Sequence, residues 1–179
     1  MIILGVDPGT IYTGYGIIKQ NKNNFTFVKN GLIKLPSSKG LSEKLEIIYD
    51  ELVKIIKIYK PDEFAIETAF YGKNVQSAMK IGYARGVSIL AAVHNKIQTS
   101  EYSPREIKKS VVGTGAASKE QVSYMIRTIL NIEEVKMRFD ESDALAVAIC
   151  HAVRMKSPSK RSNNWKAFVE AYPERVIDQ

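Results

Sequence analysis

Cysteine is nearly absent from this chain, which has a single one, Cys150, among 179 residues, so no internal disulfide can form. It lies in the apolar stretch ALAVAICHAV, where a free thiol serves as a small hydrophobe, and a reducing cytoplasm fits that use. Histidine is almost as scarce, with only His94 and His151, and together with one thiol these supply no zinc ligand set. Both are expected to be structural or surface residues. Long apolar runs are missing too: none approaches the ~18 residues of a membrane span, and the short apolar start has no basic leader. A soluble intracellular protein with no membrane partner is therefore expected. Acid is in deficit, with 19 Asp and Glu against 26 Lys and Arg, a formal charge of +7 and a pI near 9.4. That excess favours a polyanionic partner such as nucleic acid, although ribosome-associated and membrane-surface proteins share it.

What is present reads as one domain, and no repeat is visible. MIILGVD is a buried strand stopped by Pro8-Gly9, with Asp7 at its last position. Strands are expected over Thr13–Lys19 and Asn24–Leu35, with Gln20–Asn23 as the turn between them. Apolar residues at Leu41, Leu45, Ile48, Leu52, Ile55 and Ile56 predict a helix over Leu41–Lys60, stopped by Pro61-Asp62. EFAIE is a short strand that again ends on a carboxylate, Glu67. A helix over Asn74–His94, a strand over Lys96–Ser103 and three helical pieces (Pro104–Ser110, Ser118–Asn131 and Ser142–Lys156) follow. From Ser157 the composition is that of a linker and a tail, so the domain is drawn at 1–156 and the tail at 157–179. Three strands in a row, then strands alternating with helices, predict an α/β sheet with an antiparallel front and a parallel remainder.

Ligands of such sheets sit beyond strand ends, where Asp7 and Glu67 meet if their strands are parallel neighbours. Asp7 alone is explained as well by a turn-forming role toward Pro8-Gly9. A third feature, RFDESDALAVAICHAV, places Asp140 and Asp143 on one face of a helix start, a spacing that also suits an N-cap and a first-turn acid. Four acids brought together would repel and raise one another's pKa unless a cation held them, and oxygen-only ligation selects Mg²⁺ or Mn²⁺. Two smaller signals stand beside the acids. Gly113 and Gly115 make a turn in which backbone amides can approach a phosphate, a weak motif by itself. Gly82 and Gly86 fall on one face of the Asn74–His94 helix, each at a cost of about 1 kcal/mol relative to alanine, so that face packs closely on its own sheet or on a second copy.

The stretches GVDPGT with TGYG, AIETAFYGKN, KKSVVGTGAASKEQV and DESDALAVAICH resemble, in order and spacing over roughly residues 1–155, the bacterial RuvC Holliday-junction resolvases. The resemblance implies a ribonuclease-H-like fold: a mixed five-stranded sheet, three antiparallel strands then parallel ones, flanked by helices. It implies a metal site of Asp7, Glu67, Asp140 and Asp143, holding two Mg²⁺ with Mn²⁺ as substitute, with Glu141 able to take ligand duty from Asp140. Two such ions about 4 Å apart stabilise both the attacking hydroxide and the leaving 3′ oxygen of a phosphodiester, giving 5′-phosphate and 3′-hydroxyl ends. Lys108 and Lys119 fall where resolvases carry basic residues near the cut phosphate. Phe70 resembles the family's wedge at the crossover, and Tyr71 and Lys73 lie beside it, in a loop suited to stacking on unpaired bases. Four-way junction DNA, a homodimer and the RuvA–RuvB branch-migration motor are the partners implied. Two rivals share the topology: a YqgF-type nuclease of ribosomal RNA processing and an actin- or sugar-kinase-like phosphotransferase. Against the second stands the lack of a further phosphate loop.

Overall fold

Alternation along one strand decides the arrangement of the whole sheet. In β1 (Ile2–Asp7), Leu4 and Val6 belong to one hydrophobic core and Ile3 to another, so successive side chains face opposite sides. The computed structural model describes residues 1–22, 24–68 and 75–156. β1 pairs antiparallel with β2 (Tyr12–Asn21), which pairs antiparallel with β3 (Asn24–Lys34). On its other side β1 pairs in parallel with β4 (Glu63–Glu67), and β4 with β5 (Gln98–Tyr102), giving the order β3-β2-β1-β4-β5. This is the mixed five-stranded sheet expected. Pairing between β2 and β3 continues to Asn21 opposite Asn24, so their turn is tighter than the four residues expected, with Lys22 in the left-handed region at φ 50°.

Helices cover both faces. α1 (Leu41–Tyr59) and α2 (Val75–His94) contribute Ile48, Leu52, Ala84 and Ala91 to the core under Leu4, Val6, Phe64 and Ile66. On the other face lie α3 (Pro104–Val112), α4 (Lys119–Leu130) and α5 (Phe139–Lys156). Ser103 caps α3 reciprocally with Glu106, and Ser118 caps α4 with Gln121, each such cap being worth about 1 kcal/mol. α5 is buried on every side from Ala144 to Ala152, which explains its continuously apolar sequence. It lies against glycine: a Cβ on Gly5 would stand 2.2 Å from the Ala144 carbonyl oxygen, and one on Gly14 only 2.0 Å from that of Asp140. Glycine at these points lets the first turn of α5 rest directly on β1 and β2.

Three expectations change. α5 begins at Phe139 rather than Ser142, because the Glu141 carboxylate accepts from the Arg138 backbone N–H at 2.9 Å and the Ser142 N–H donates to the Arg138 carbonyl at 3.1 Å. Arg138 therefore holds the cap position, and Asp140 lies inside the helix instead of capping it. Gly82 and Gly86 do not pack on their own sheet, since among the described residues a Cβ at either meets nothing within 4 Å. Gly113 is the left-handed cap of α3 at φ 88°, and Gly115 lies under the Arg105 side chain, so both serve the turn itself. The tail 157–179 lies outside the described residues.

Candidate active site

Period two places Asp7 on the same face as Ile3 and Gly5, and Glu67 on the same face as Ala65, which is the face covered by α5. Val6 pairs with Ile66, so the next residues, Asp7 and Glu67, end neighbouring strands side by side. The end of β4 is pinned by the Thr68 N–H, which donates to the Tyr102 carbonyl at 2.8 Å. Asp7 is released from the turn that follows it. There Thr13 does the work, its hydroxyl donating to the Gly9 carbonyl at 3.2 Å and accepting from the Gly9 N–H at 3.4 Å.

Asp7, Glu67 and Asp143 line one cleft of about 310 Å³ together with Lys108 and Lys119. Asp140 stands at its margin, 37% exposed, with the Arg138 Nε 4.0 Å from its Oδ2. Glu141 is turned back onto the Arg138 backbone, where its carboxylate accepts from the Arg138 N–H. Lys119 Nζ lies 2.9 Å from Asp143 Oδ2, a pair in which the lysine side chain is 60% exposed and the carboxylate 16%. So exposed a lysine holds its partner by only about 0–1 kcal/mol. The stretch that carries Phe70, Tyr71 and Lys73 lies outside the described residues.

Burial and mutual repulsion govern the acids. Burial, followed by the charges of Glu67 and Asp143 and more weakly Asp140, raises the Asp7 carboxyl well above the ordinary carboxylate range, against the pull of Lys119. Glu67 is pushed up to about 7 by burial and Asp143, with Lys119, a hydrogen bond to Asp7 and Lys108 opposing. Asp143 is raised as well, because burial outweighs its bond to Lys119. Three carboxyls raised together by burial and mutual repulsion make a strongly electronegative cleft, and an all-oxygen donor set suits a hard divalent ion. Among the described residues no three such side chains already stand in ligating arrangement around one point. Asp143 is engaged instead by the exposed Lys119.

Neither histidine joins this cluster. His94 Nδ1 meets the Tyr49 hydroxyl at 2.7 Å on the exposed side of α1 and α2. His151 is buried, its Nδ1 2.8 Å from the Tyr102 hydroxyl, and burial lowers its pKa even though Nε2 lies 3.5 Å from Glu63 Oε2. The Nε2–Glu63 contact is not a hydrogen bond, so burial prevails and the ring is a neutral tie between α5 and β5. Cys150 is buried and donates to the Ser110 hydroxyl at 3.2 Å. Sequence reasoning missed Thr13, Gly14 and Arg138, whose roles depend on contacts across the sheet. Only the glycine within TGYG gave a sign of them.

Residues 3–151 match the family model described as "Crossover junction endodeoxyribonuclease RuvC". A protein of that name from Chloroherpeton thalassium is 44% identical, the match covering 99% of this chain and 100% of the relative. Among solved structures, Thermus thermophilus RuvC in complex with Holliday junction substrate superposes with a TM-score of 0.81 at 27% identity, over 87% of this chain and 94% of that one. The yeast mitochondrial Holliday junction resolvase Ydc2, 13% identical, shares the fold with a TM-score of 0.60 over 96% of this chain and 83% of its own. With three antiparallel strands, two parallel ones, acids at the ends of β1 and β4 and a full-length match of this kind, the chain belongs to the RuvC family of crossover junction endodeoxyribonucleases.

Proposed function

We propose that this protein resolves Holliday junctions by hydrolysing one phosphodiester in each of two opposed strands, leaving 5′-phosphate and 3′-hydroxyl ends. One observation carries the chemistry: Asp7, Glu67 and Asp143, all raised in pKa, face Lys108 and Lys119 across one cleft. A phosphodiester is an anion, and a bare cluster of carboxylates repels it. Two divalent ions, Mg²⁺ with Mn²⁺ as substitute, held by Asp7, Glu67, Asp143 and Asp140, would reverse that sign and supply Lewis-acid stabilisation of attacking and leaving oxygens. The chain's own groups do the rest. Asp7 and Glu67, fixed on rigid strand ends, orient the reacting centre, and Asp143 joins them as Lys119 turns from it toward the phosphate. Lys108 and Lys119 then stand where negative charge develops as the P–O3′ bond breaks.

Two nicks need two sites, and α2 offers the surface for a second copy. Val75, Met79, Tyr83, Leu90 and Val93 are exposed along it, at 67, 53, 46, 45 and 52%, beside the open space at Gly82 and Gly86. A homodimer through α2 matches the two-fold symmetry of a junction. The RuvA–RuvB motor enters as partner, and Phe70, Tyr71 and Lys73 as contacts at the crossover, on family grounds. Cytoplasmic placement follows from a DNA substrate, and among the described residues no helix is long and apolar enough to cross a membrane. The test is Mg²⁺-dependent cutting of four-way DNA, structured RNA and linear duplex side by side. Paired nicks confined to the four-way DNA are expected; equal cutting of RNA or of plain duplex would overturn the reading.

A further inference from the structure

Asp140 belongs to a second hollow, about 250 Å³, lined by Met137, Arg138, Phe139 and Asp140. Across it lies an arrangement that the chemistry of the cleft does not use. The Arg138 guanidinium sits over the Tyr12 ring, 4.4 Å from its centroid, and reaches Asp140 only at 4.0 Å. Its backbone N–H is taken by Glu141, but among the described residues the guanidinium itself donates no hydrogen bond. A ring beneath a guanidinium holds the arginine in place by cation–π attraction, and donors that are not used within the chain suit two oxygens of a phosphate. The side chain is 57% exposed. Its sequence neighbour Phe139 is 45% exposed, and Ile11, beside Tyr12, is 66% exposed.

We propose that Arg138, held over the Tyr12 ring, binds a phosphate of the cut strand next to the scissile one, with Phe139 as an apolar contact for that nucleotide. This rests on the nuclease reading above. A strand laid into the acid cleft meets Lys108 and Lys119 there, and its adjoining phosphate would pass the hollow beside Asp140, whose own charge the bound ions answer. Arg138 is the cation at that edge. A purely internal role, as ion-pair partner of Asp140, fits the geometry less well, because an exposed pair at the limit of contact distance holds little. Such a role also gives no reason for the ring beneath the guanidinium.

The full-length protein and a four-way junction test this, with Ca²⁺ replacing Mg²⁺ to hold the complex uncut. Arg138→Ala should bind about tenfold more weakly near 0.1 M salt, with the slope of log affinity against log salt shallower by about one. Arg138→Lys should recover the slope but not all of the affinity, since an ammonium keeps the charge and loses the planar guanidinium. Single methylphosphonates, which delete one phosphate charge, are then walked through the three nucleotides on either side of the cut. One position should cost the wild type about tenfold and Arg138→Ala nothing further. Because α5 is capped through the backbone of Arg138, both variants should keep the wild-type melting temperature within a few degrees. Should one unfold, the same walk with Arg138→Gln decides. An unchanged salt slope, or equal sensitivity of variant and wild type at every methylphosphonate, overturns the inference. A wild type that does not prefer the junction over linear duplex overturns the nuclease reading itself, whatever Arg138 does.

Discussion

Asp7 is the side chain at which binding and cutting are expected to separate. Asp7→Asn, or Glu67→Gln beside it, keeps size and hydrogen bonding while removing the charge that orients the reacting centre. Lysine and arginine contacts to phosphate supply most of the affinity for DNA, and neither substitution touches them. Cutting should fall by at least about 10³-fold, with junction affinity within a few-fold of wild type, measured by single-turnover cleavage in Mg²⁺ and by gel shift in Ca²⁺. Near-normal cutting by either variant would remove the acids from the mechanism. The titration of Glu67 adds a pH dependence with a definite sign. Its folded pKa of about 7 lies above its unfolded value, near 4.3, so the folded state holds the extra proton between the two. Metal-free protein should therefore lose roughly 1–3 kcal/mol from this group as pH rises through that window, and regain stability when a divalent ion binds and displaces the proton. Glu67→Gln should flatten both effects. Denaturant titrations at pH 5.5 and 8, with EDTA or with Mg²⁺, check this, and a variant as pH-sensitive as wild type would assign the dependence elsewhere.

Among the elements, α5 does most to build the site, and its placement depends on what is missing from the strands beneath it. A Cβ at Gly14 would press on the Asp140 carbonyl, so Gly14→Val must push the first turn of α5 away from β2. Overpacking of this kind costs about 1–3 kcal/mol, and a shift of an ångström at the acids costs on the order of 10²-fold in rate. Gly14→Val should thus cut far less than its loss of melting temperature accounts for, whereas a fully active variant would show that the close approach is incidental. The acids themselves were legible beforehand. Asp7 and Glu67 each interrupt an apolar strand at its end, and Asp140 and Asp143 open an apolar helix, features that periodicity alone exposes. The mixed sheet, antiparallel in front and parallel behind, was legible for the same reason, since hairpins and helix-linked strands imply different pairings, but its strand order is the structure's own. The start of α5 was not: Arg138 is no usual cap residue, and the carboxylate that caps the helix is that of Glu141 rather than Asp140. Thr13 and Tyr12 were equally hidden, because a hydroxyl on a turn carbonyl and a ring under a guanidinium join residues whose relation only the folded sheet creates.

At the scale of the whole molecule, one cleft per chain must serve a substrate with two equivalent strands. The exposed apolar side chains of α2 form a stripe on the layer opposite α5, the face on which a second copy is proposed to dock. Gly82 and Gly86 now discriminate between fold and dimer, because among the described residues neither has a neighbour for a side chain to strike. Gly86→Ala should stabilise the isolated fold by up to about 1 kcal/mol through helix propensity. Gly86→Leu or Tyr83→Glu should leave the fold intact and weaken dimerisation, the first by filling the space a partner helix needs and the second by burying a charge against it. Sedimentation at micromolar protein should then show a monomer in place of a dimer. On a supercoiled plasmid that extrudes a cruciform, the wild type should release linear DNA through paired nicks. The monomeric variants should instead accumulate nicked circles, because the first cut relaxes the plasmid and dissolves the junction before a second monomer arrives. A variant that sediments as a monomer, alone and bound, yet still yields linear product at the wild-type ratio, would show that paired cutting does not depend on the α2 face.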